Sequence, residues 1–308
     1  MTFRTRFAPS PTGPLHLGHA YSALLAHDMA VAQNGEFLLR IEDIDQSRAR
    51  PEWETQIYED LEWLGLSWSP NVMRQSDRFA AYDEALDALW AQGLLYPCTC
   101  SRRDIANALS APQEGYPTHG PDGVIYPGTC RLDDHQISGP RPKGAVMRLN
   151  MTLATSRTQQ DNALSSYRFK DMNKDPQDVV FTSQDVTTNV GDIVLSRKDM
   201  GTSYHLSVVL DDVSQGITDV IRGADLFEAT QIHVVLQRLL SSPTPTYHHH
   251  KLIRDNTGKR LAKRDDARAI SKFRREGYTP EDIRKMVGLS GQASGAISSV
   301  SVPSTTDV

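Results

Sequence analysis

Arg6-Phe7-Ala8-Pro9-Ser10-Pro11-Thr12-Gly13-Pro14-Leu15-His16-Leu17-Gly18-His19 decides how this chain is read. Residues 4–8 suit a short strand, and the three prolines that follow prevent its continuation while Gly13 offers a permissive turn position. From His16 to about Gln33, Leu17, Ala20, Leu24, Leu25 and Met29 recur at helical spacing, with Gly35 as the expected C-cap. Glu36–Ile41 then reads as a second strand ending in Glu42, Asp43 and Asp45. Strand, helix and strand in so short a span predict one βαβ crossover and an α/β fold.

Outward from this unit, helices are predicted at Pro51–Leu64 and Asp77–Gln92, with Pro51 in a first-turn position and Ser76 as an N-cap. Gly65 and Gly93 stop them. Residues 98–150 change character, with cysteines, a Gly/Pro-rich loop over 111–128 and a strand near Ala145–Leu149, and read as an insertion between two halves of a sheet. The polar stretch 151–189 carries no clear period and is left unassigned. Ile193–Ser196 and Tyr204–Leu210 restart the apolar pattern, followed by a strand at Ile217–Arg222, an amphipathic helix at Asp225–Leu240 and a strand at Tyr247–Ile253. Short helices are expected at Ala267–Glu276 and Pro280–Val287, and the Ser/Gly-rich tail beyond Leu289 is expected to be disordered. The expected divisions are 1–97 and 191–266 as the two halves of the core, 98–190 as the insertion, 267–290 as a helical stem and 291–308 as tail.

Composition narrows the function classes. With 39% hydrophobic and 23% charged residues in 308, the chain is ordinary for a globular protein and holds no apolar run long enough for a membrane span. A start in strand-like sequence without a leader, and three cysteines that make no disulfide framework, point to a cytoplasmic protein. The net charge of -5 argues against a protein basic all over, yet 251–275 carries ten Lys or Arg against three acids. That local excess suits contact with a polyanion.

The chemistry-bearing residues fall into three groups. A helix opening near His16 offers backbone N–H groups and a positive dipole end to phosphates, and His16 and His19 share one face of its first turn. Gly18 leaves room for a nucleotide against the backbone. Far along the chain, Lys259-Arg260-Leu261-Ala262-Lys263-Arg264 is a basic loop able to supply a mobile cation to a leaving pyrophosphate. Arg6, Glu42 and Arg222 lie at the ends of predicted strands, where doubly wound sheets bind ligands. Guanidinium groups there would clamp carboxylates at two points. Cys98, Cys100 and Cys130 could supply three thiolates to a tetrahedral metal ion, with His119 the more usual fourth ligand on chemical grounds and Tyr126 an uncommon one. In His248-His249-His250 adjacent rings alternate faces, which suits a strand leading into the lysine loop, with His249 near the nucleotide.

His16-Leu17-Gly18-His19 resembles the first signature of class I aminoacyl-tRNA synthetases, and Arg260-Leu261-Ala262-Lys263-Arg264 resembles a degenerate form of their second. That loop has Arg260 and Ala262 where the family prefers Lys and Ser, but keeps Lys263. Residues 6–13, Arg40-Ile41-Glu42-Asp43-Ile44-Asp45 and Asp219-Val220-Ile221-Arg222-Gly223-Ala224-Asp225 narrow the resemblance to the glutamyl-tRNA synthetase subgroup, in order across residues 3–290. The resemblance implies a Rossmann-like class I catalytic core with an inserted zinc-binding, acceptor-type subdomain and a short helical stem. It implies ATP, accompanied by Mg2+, on His16, Gly18, His19 and Lys263, and catalysis by His16, His19 and Lys263. It places glutamate on Arg6, Ala8, Ser10, Glu42, Tyr204 and Arg222. It also implies structural zinc on Cys98, Cys100, Tyr126 and Cys130, because a Cys-x-Cys…Tyr-x-x-x-Cys arrangement marks short relatives, with His119 in reserve as the fourth ligand.

After Tyr278-Thr279-Pro280-Glu281-Asp282, which is similar to the start of the stem following the core, the sequence stops within thirty residues. The expectation is therefore a chain without the anticodon-reading portion of a glutamyl-tRNA synthetase. The short relatives with the cysteine cluster, glutamyl-Q tRNA(Asp) synthetases, imply glutamate activation without tRNA and transfer to the queuosine base of tRNA(Asp), by a monomer with no membrane partner. The alternatives are a truncated glutamyl-tRNA synthetase charging a 3′ end, or a non-catalytic RNA-binding paralogue.

Overall fold

The structure, a computed structural model, describes residues 2–109, 117–131, 139–162, 166–172, 176–253 and 269–289. β1 (Arg4–Phe7) runs parallel to β2 (Glu36–Ile41), Arg4 opposite Glu36 and Phe7 opposite Leu39, and α1 (Leu17–Ala32) connects them. Ala20, Ala23, Leu24, Ala26 and Ala30 form the buried face of α1, small enough to bring the helix close to the strands. Its C-terminus differs from expectation. The left-handed residue is Asn34 (φ 49°). Gly35 is required for another reason: a Cβ there would stand 2.3 Å from the Phe3 carbonyl oxygen, which accepts the Glu36 N–H at 2.9 Å.

α2 (Pro51–Trp63) begins with proline at its first turn, as predicted. β3 (Met73–Arg74) adds to β2 in parallel, and a 3-10 turn over Gln75–Arg78 leads into α3 (Phe79–Ala91). Ser76 is not the cap of α3. It lies inside the 3-10 turn, its N–H donating to Asp43 Oδ1 at 2.8 Å, and Arg78 takes the cap position.

β4 (Leu95–Cys98), α4 (Arg102–Leu109) and a hairpin of β5 (His119–Gly120) with β6 (Gly123–Val124) come next, and β7 (Val146–Leu149) pairs antiparallel with β4. The stretch 151–189, unassigned from sequence, folds into α5 (Met151–Asn162), β8 (Ser166–Asp171), β9 (Gln177–Thr182) and α6 (Ser183–Asn189). β8 alternates buried Tyr167, Phe169 and Asp171 with exposed Arg168 and Lys170, the period of a strand covered on one face. β10 (Val194–Ser196) completes the sheet of β4 and β7 from the other side.

α7 (Tyr204–Ser214), β11 (Asp219–Gly223), α8 (Thr230–Leu239) and β12 (Thr246–His250) return the chain to the first unit. The strand predicted at Tyr247–Ile253 thus ends at His250. β12 pairs in parallel with β11, Arg222 opposite His249, and with β8, Tyr247 opposite Asp171. β11 lies beside β1, because Thr218 N–H donates to Arg4 O at 2.9 Å and Arg4 N–H to Thr218 Oγ1 at 2.8 Å. The carboxyl ends of β1, β2 and β11 therefore converge, the place where doubly wound sheets bind ligands. α9 (Ile270–Arg275) and α10 (Pro280–Val287) follow, and Ile283 and Val287 of α10 join the core around α1. Among the described residues no helix is long and apolar enough to cross a membrane. Lys259–Arg264 and the tail beyond Leu289, expected to be disordered, lie outside them.

Candidate active site

Arg6 near the end of β1 is 5% exposed and grips Asp212 of α7 at two points, Nε to Oδ1 at 2.8 Å and Nη2 to Oδ2 at 3.2 Å. Arg40 of β2 is fully buried and donates from Nη1 to the same Asp212 oxygen at 2.7 Å and to Gln215 Oε1 at 2.9 Å, and from Nη2 to Glu42 Oε1 at 3.1 Å. Two guanidinium groups thus share two carboxylates. Burial would raise the Asp212 carboxyl, but Arg6 and Arg40 hold it below the usual carboxylate range. At Glu42 burial prevails over Arg40 and Arg6, and its carboxyl is pushed up. Arg40, Asp212 and Gln215 were not singled out in the sequence. A charge inside Glu-Phe-Leu-Leu-Arg-Ile, and Asp211-Asp212 inside an apolar helix phase, were the available signals.

Arg222, one residue before the end of β11, is as buried as Arg6 (6% exposed) but differently held. Its Nε donates to His249 Nε2 at 3.1 Å, Nη1 to His233 Nδ1 at 3.0 Å, and Nη2 to Thr230 Oγ1 at 2.6 Å and Leu226 O at 3.3 Å. Every one of these acceptors is neutral. Among the described residues no carboxylate lies within ion-pair distance of Arg222. The two-point carboxylate clamp expected of this side chain is not available, since the four bonds engage Nε, one Nη1 hydrogen and both Nη2 hydrogens. Arg222 faces an incoming anion with charge and one remaining donor. Arg6 keeps its Nη1–Nη2 edge for such a clamp.

Tyr204 opens α7 between these clusters. Burial raises its phenol, and the charges of Arg222, Glu42, Arg6 and Asp212 all act on it. The predicted residues Arg6, Glu42, Tyr204 and Arg222 therefore come together around one region. Ala8 and Ser10 lie half-buried in the turn after β1. That turn is tied to the end of β2 by the Glu42 N–H, which donates to Pro9 O at 2.9 Å.

At the start of α1 the histidines act first as caps. His16 Nδ1 accepts the Gly18 N–H at 3.1 Å, and His19 Nδ1 accepts the His16 N–H at 3.2 Å. The rings stack with centroids 3.8 Å apart. Two of the backbone donors expected to meet phosphate, those of His16 and Gly18, are thus occupied by imidazole nitrogens, and each neutral ring carries its hydrogen on Nε2. Gly18 makes room for the His16 ring, since a Cβ would stand 3.0 Å from His16 Cε1. Lys263 lies outside the described residues, but the chain on either side of its segment returns to this helix. His250 Nε2 lies 2.6 Å from Ser22 Oγ, Ala269 bridges to His16, and Ile270 N–H donates to Leu15 O at 2.8 Å. His249, expected near the nucleotide, accepts a hydrogen bond from Arg222.

The three thiols also converge. The sulfurs of Cys98, Cys100 and Cys130 lie within 4.8 Å of one another, an arrangement that could hold a metal ion. Tyr126 Oη is 3.5 Å from Cys98 Sγ and 3.3 Å from Cys100 Sγ, and accepts the Cys130 N–H at 2.8 Å. Burial opposes ionisation of Cys130, but hydrogen bonds from Tyr126 and the backbone at Thr99 outweigh it and bring the thiol down to about 6. A thiol poised to ionise, ringed by two others and a phenol, fits a cation. His119 is exposed on β5, against Thr118 Oγ1 at 3.1 Å, and does not join the cluster.

Over residues 2–301 the chain matches the family described as tRNA synthetases class I (E and Q), catalytic domain. It is 58% identical over 285 residues to the glutamyl-Q tRNA(Asp) synthetase of Rhodobacter capsulatus, covering 92% of this chain and 99% of that protein. With the like-named protein of Geobacter sulfurreducens it shares 40% identity over 276 residues, 88% of this chain and 80% of that one. Among solved structures it is similar to a glutamate tRNA ligase from Elizabethkingia meningosepticum in complex with its amino acid, with a TM-score of 0.68 and 27% identity over 94% of this chain. The chain spans 61% of that ligase.

Proposed function

The chain belongs to the class I tRNA synthetases for glutamate and glutamine, within them to the glutamyl-Q tRNA(Asp) synthetase family, and from that premise we propose how its residues carry out a two-step reaction. In the first step the α-carboxylate of L-glutamate attacks the α-phosphorus of ATP, forming glutamyl-adenylate and releasing pyrophosphate without tRNA. In the second the glutamyl group passes to the queuosine base in the anticodon loop of tRNA(Asp), and AMP leaves.

The observation that carries this reading is Arg222. A buried cation whose hydrogen-bond partners are all neutral is costly unless an anion completes it. The side-chain carboxylate of glutamate is that anion. Burial raises the Glu42 carboxyl, and the substrate ammonium beside it favours the charged form. Arg6, Ala8, Ser10 and Tyr204 line the remaining contacts. The Nε2 hydrogens of His16 and His19 donate to the α-phosphate as charge builds, so catalysis rests on positioning and charge rather than on a covalent enzyme intermediate. Lys263 serves the leaving pyrophosphate. It lies six residues before Ala269, so a chain of at most about 20 Å separates it from the anchor on His16.

Zinc held by Cys98, Cys100, Cys130 and Tyr126 would brace the segment between β4 and β7, and Mg2+ would accompany ATP. The enzyme is read as a cytoplasmic monomer. Glutamate-dependent ATP–pyrophosphate exchange in the absence of tRNA tests the first step, and exchange no greater than background rejects it. Radiolabelled glutamate offered with queuosine-containing and queuosine-free tRNA(Asp) tests the second. Label is expected only with queuosine, and label on the 3′ end of the glutamate tRNA would replace that step with ordinary charging.

A further inference from the structure

Arginine has no lone pair, so any ring nitrogen bonded to it must be bare. His233 presents Nδ1 to Arg222 at 3.0 Å, which puts its hydrogen on Nε2, 3.1 Å from His205 Nδ1. That nitrogen is then an acceptor too, and His205 carries its own hydrogen on Nε2, 3.1 Å from Asp122 Oδ1. On the other side His249 accepts from Arg222 through Nε2, and its Nδ1 lies 3.3 Å from Asp171 Oδ1. All three rings are buried. On the His233 side donation runs outward from the guanidinium through two rings and ends on a carboxylate that does not itself touch the arginine, while on the other side His249 Nδ1 stands near Asp171 without a hydrogen bond to it. Asp122 polarises the His205–His233 pair while the charge of Arg222 stays uncancelled where the substrate would meet it.

Building on the reading of Arg222 as receptor for the substrate carboxylate, we propose that His233, held by His205 and Asp122, is a positioning residue that keeps Arg222 aimed and unpaired, so that the site selects a carboxylate over a carboxamide. Burial, with Arg222 and His205 beside it, keeps His233 well below the ordinary imidazole range, so it stays a neutral acceptor at working pH. A carboxylate at this position would supply from the protein the anion that glutamate must otherwise bring. A carboxamide would keep an acceptor oxygen near the place of Nδ1 and add no charge.

His233→Asn and His233→Asp differ in that charge and little else. Glutamate-dependent ATP–pyrophosphate exchange is measured for both, with glutamine as the competing substrate. H233N is expected to stay within about tenfold of wild type in KM for glutamate, with kcat within about threefold. H233D is expected to raise that KM about 100-fold over H233N and to lower the preference for glutamate over glutamine by a similar factor. Equal KM and equal preference in the two variants would mean that His233 only fills space, and the proposal falls. Wild type without glutamate exchange overturns the reading of the site and this inference together. Wild-type exchange with indistinguishable variants overturns the inference alone. Independently of how the variants fold, two-bond 1H–15N spectra of histidine-labelled wild type are expected to show the hydrogen on Nε2 of His205 and His233 and on Nδ1 of His249. A hydrogen on Nδ1 of His233 overturns the relay.

Discussion

Arg6 and Arg222 stand at the ends of neighbouring strands, equally buried, and are treated in opposite ways. Around Arg6 the fold supplies the Asp212 carboxylate, which Arg40 shares and links to Glu42, so the guanidinium meets a negative charge within the protein. Around Arg222 it supplies two imidazoles, a hydroxyl and a carbonyl, which satisfy hydrogen bonds without supplying a negative charge. Burial alone therefore does not tell a cation paired within the protein from one left without a counter-charge. The charge of the partners does.

The largest effect expected from this contrast is on activity. Arg222→Ala should lower kcat/KM for glutamate in the exchange reaction by about 1,000-fold, the scale of losing a desolvated charge pair made only with substrate. Its stability should change little by comparison, because no protein carboxylate loses a partner. Asp212→Asn is the converse. It leaves Arg6 and Arg40 in the interior with their shared carboxylate gone, and should destabilise the fold by about 3 kcal/mol in urea unfolding. Were R222A to lose as much stability as D212N, the two arginines would be held alike and the contrast would fail.

The sequence made one side of this contrast more legible than the other. Arg6, Glu42 and Arg222 stood out because motif residues at strand ends are adjacent to recognisable turns. Asp212 and Arg40 did not, since the bond between them spans a separation of 172 residues and no local pattern pairs two charges across it. The same holds for the fold. β1, α1 and β2 were plain because their apolar periods are strong. α5 was hidden because its buried face includes Thr155 and Thr158, whose hydroxyls donate back to carbonyls of their own helix, so burial there leaves no apolar stripe. β8 did carry a readable period of two in Tyr167, Phe169 and Asp171, but Arg168 and Lys170 made the segment look merely polar. Ser76 shows the converse error, a good capping residue whose backbone was claimed by the distant Asp43.

A smaller effect refines the receptive side. Thr230 Oγ1 is among the shortest contacts of Arg222 and is fully buried. Thr230→Ala removes one acceptor and frees one Nη2 hydrogen, yet leaves the charge and both imidazoles. KM for glutamate should rise about tenfold, the worth of one hydrogen bond to a charged group, with kcat nearly unchanged. A loss as great as that of R222A would mean that the hydroxyl, rather than the charge, makes the site.

The smallest expected effect lies on the balanced side, where Glu42 and Asp212 should respond to pH with opposite sign. Asp212 is held below the usual range, so its contribution to stability is full above its unfolded value and is lost as pH falls through the lowered one. Glu42 is held above, so the folded chain binds its proton more tightly than the unfolded chain does. That contribution is full below the unfolded value, about 4.3, and is lost as pH rises through the raised one. Glu42→Gln removes only this second dependence. Wild type should therefore lose stability relative to E42Q as pH rises from about 4 to 7, measured by urea unfolding of both proteins across that window. A difference that is flat, or that grows in favour of wild type, would show Arg40 and Arg6 holding Glu42 ionised in the empty site. The substrate ammonium would then find a carboxylate already charged, and the balanced cluster would be poised for its ligand no less than Arg222 is.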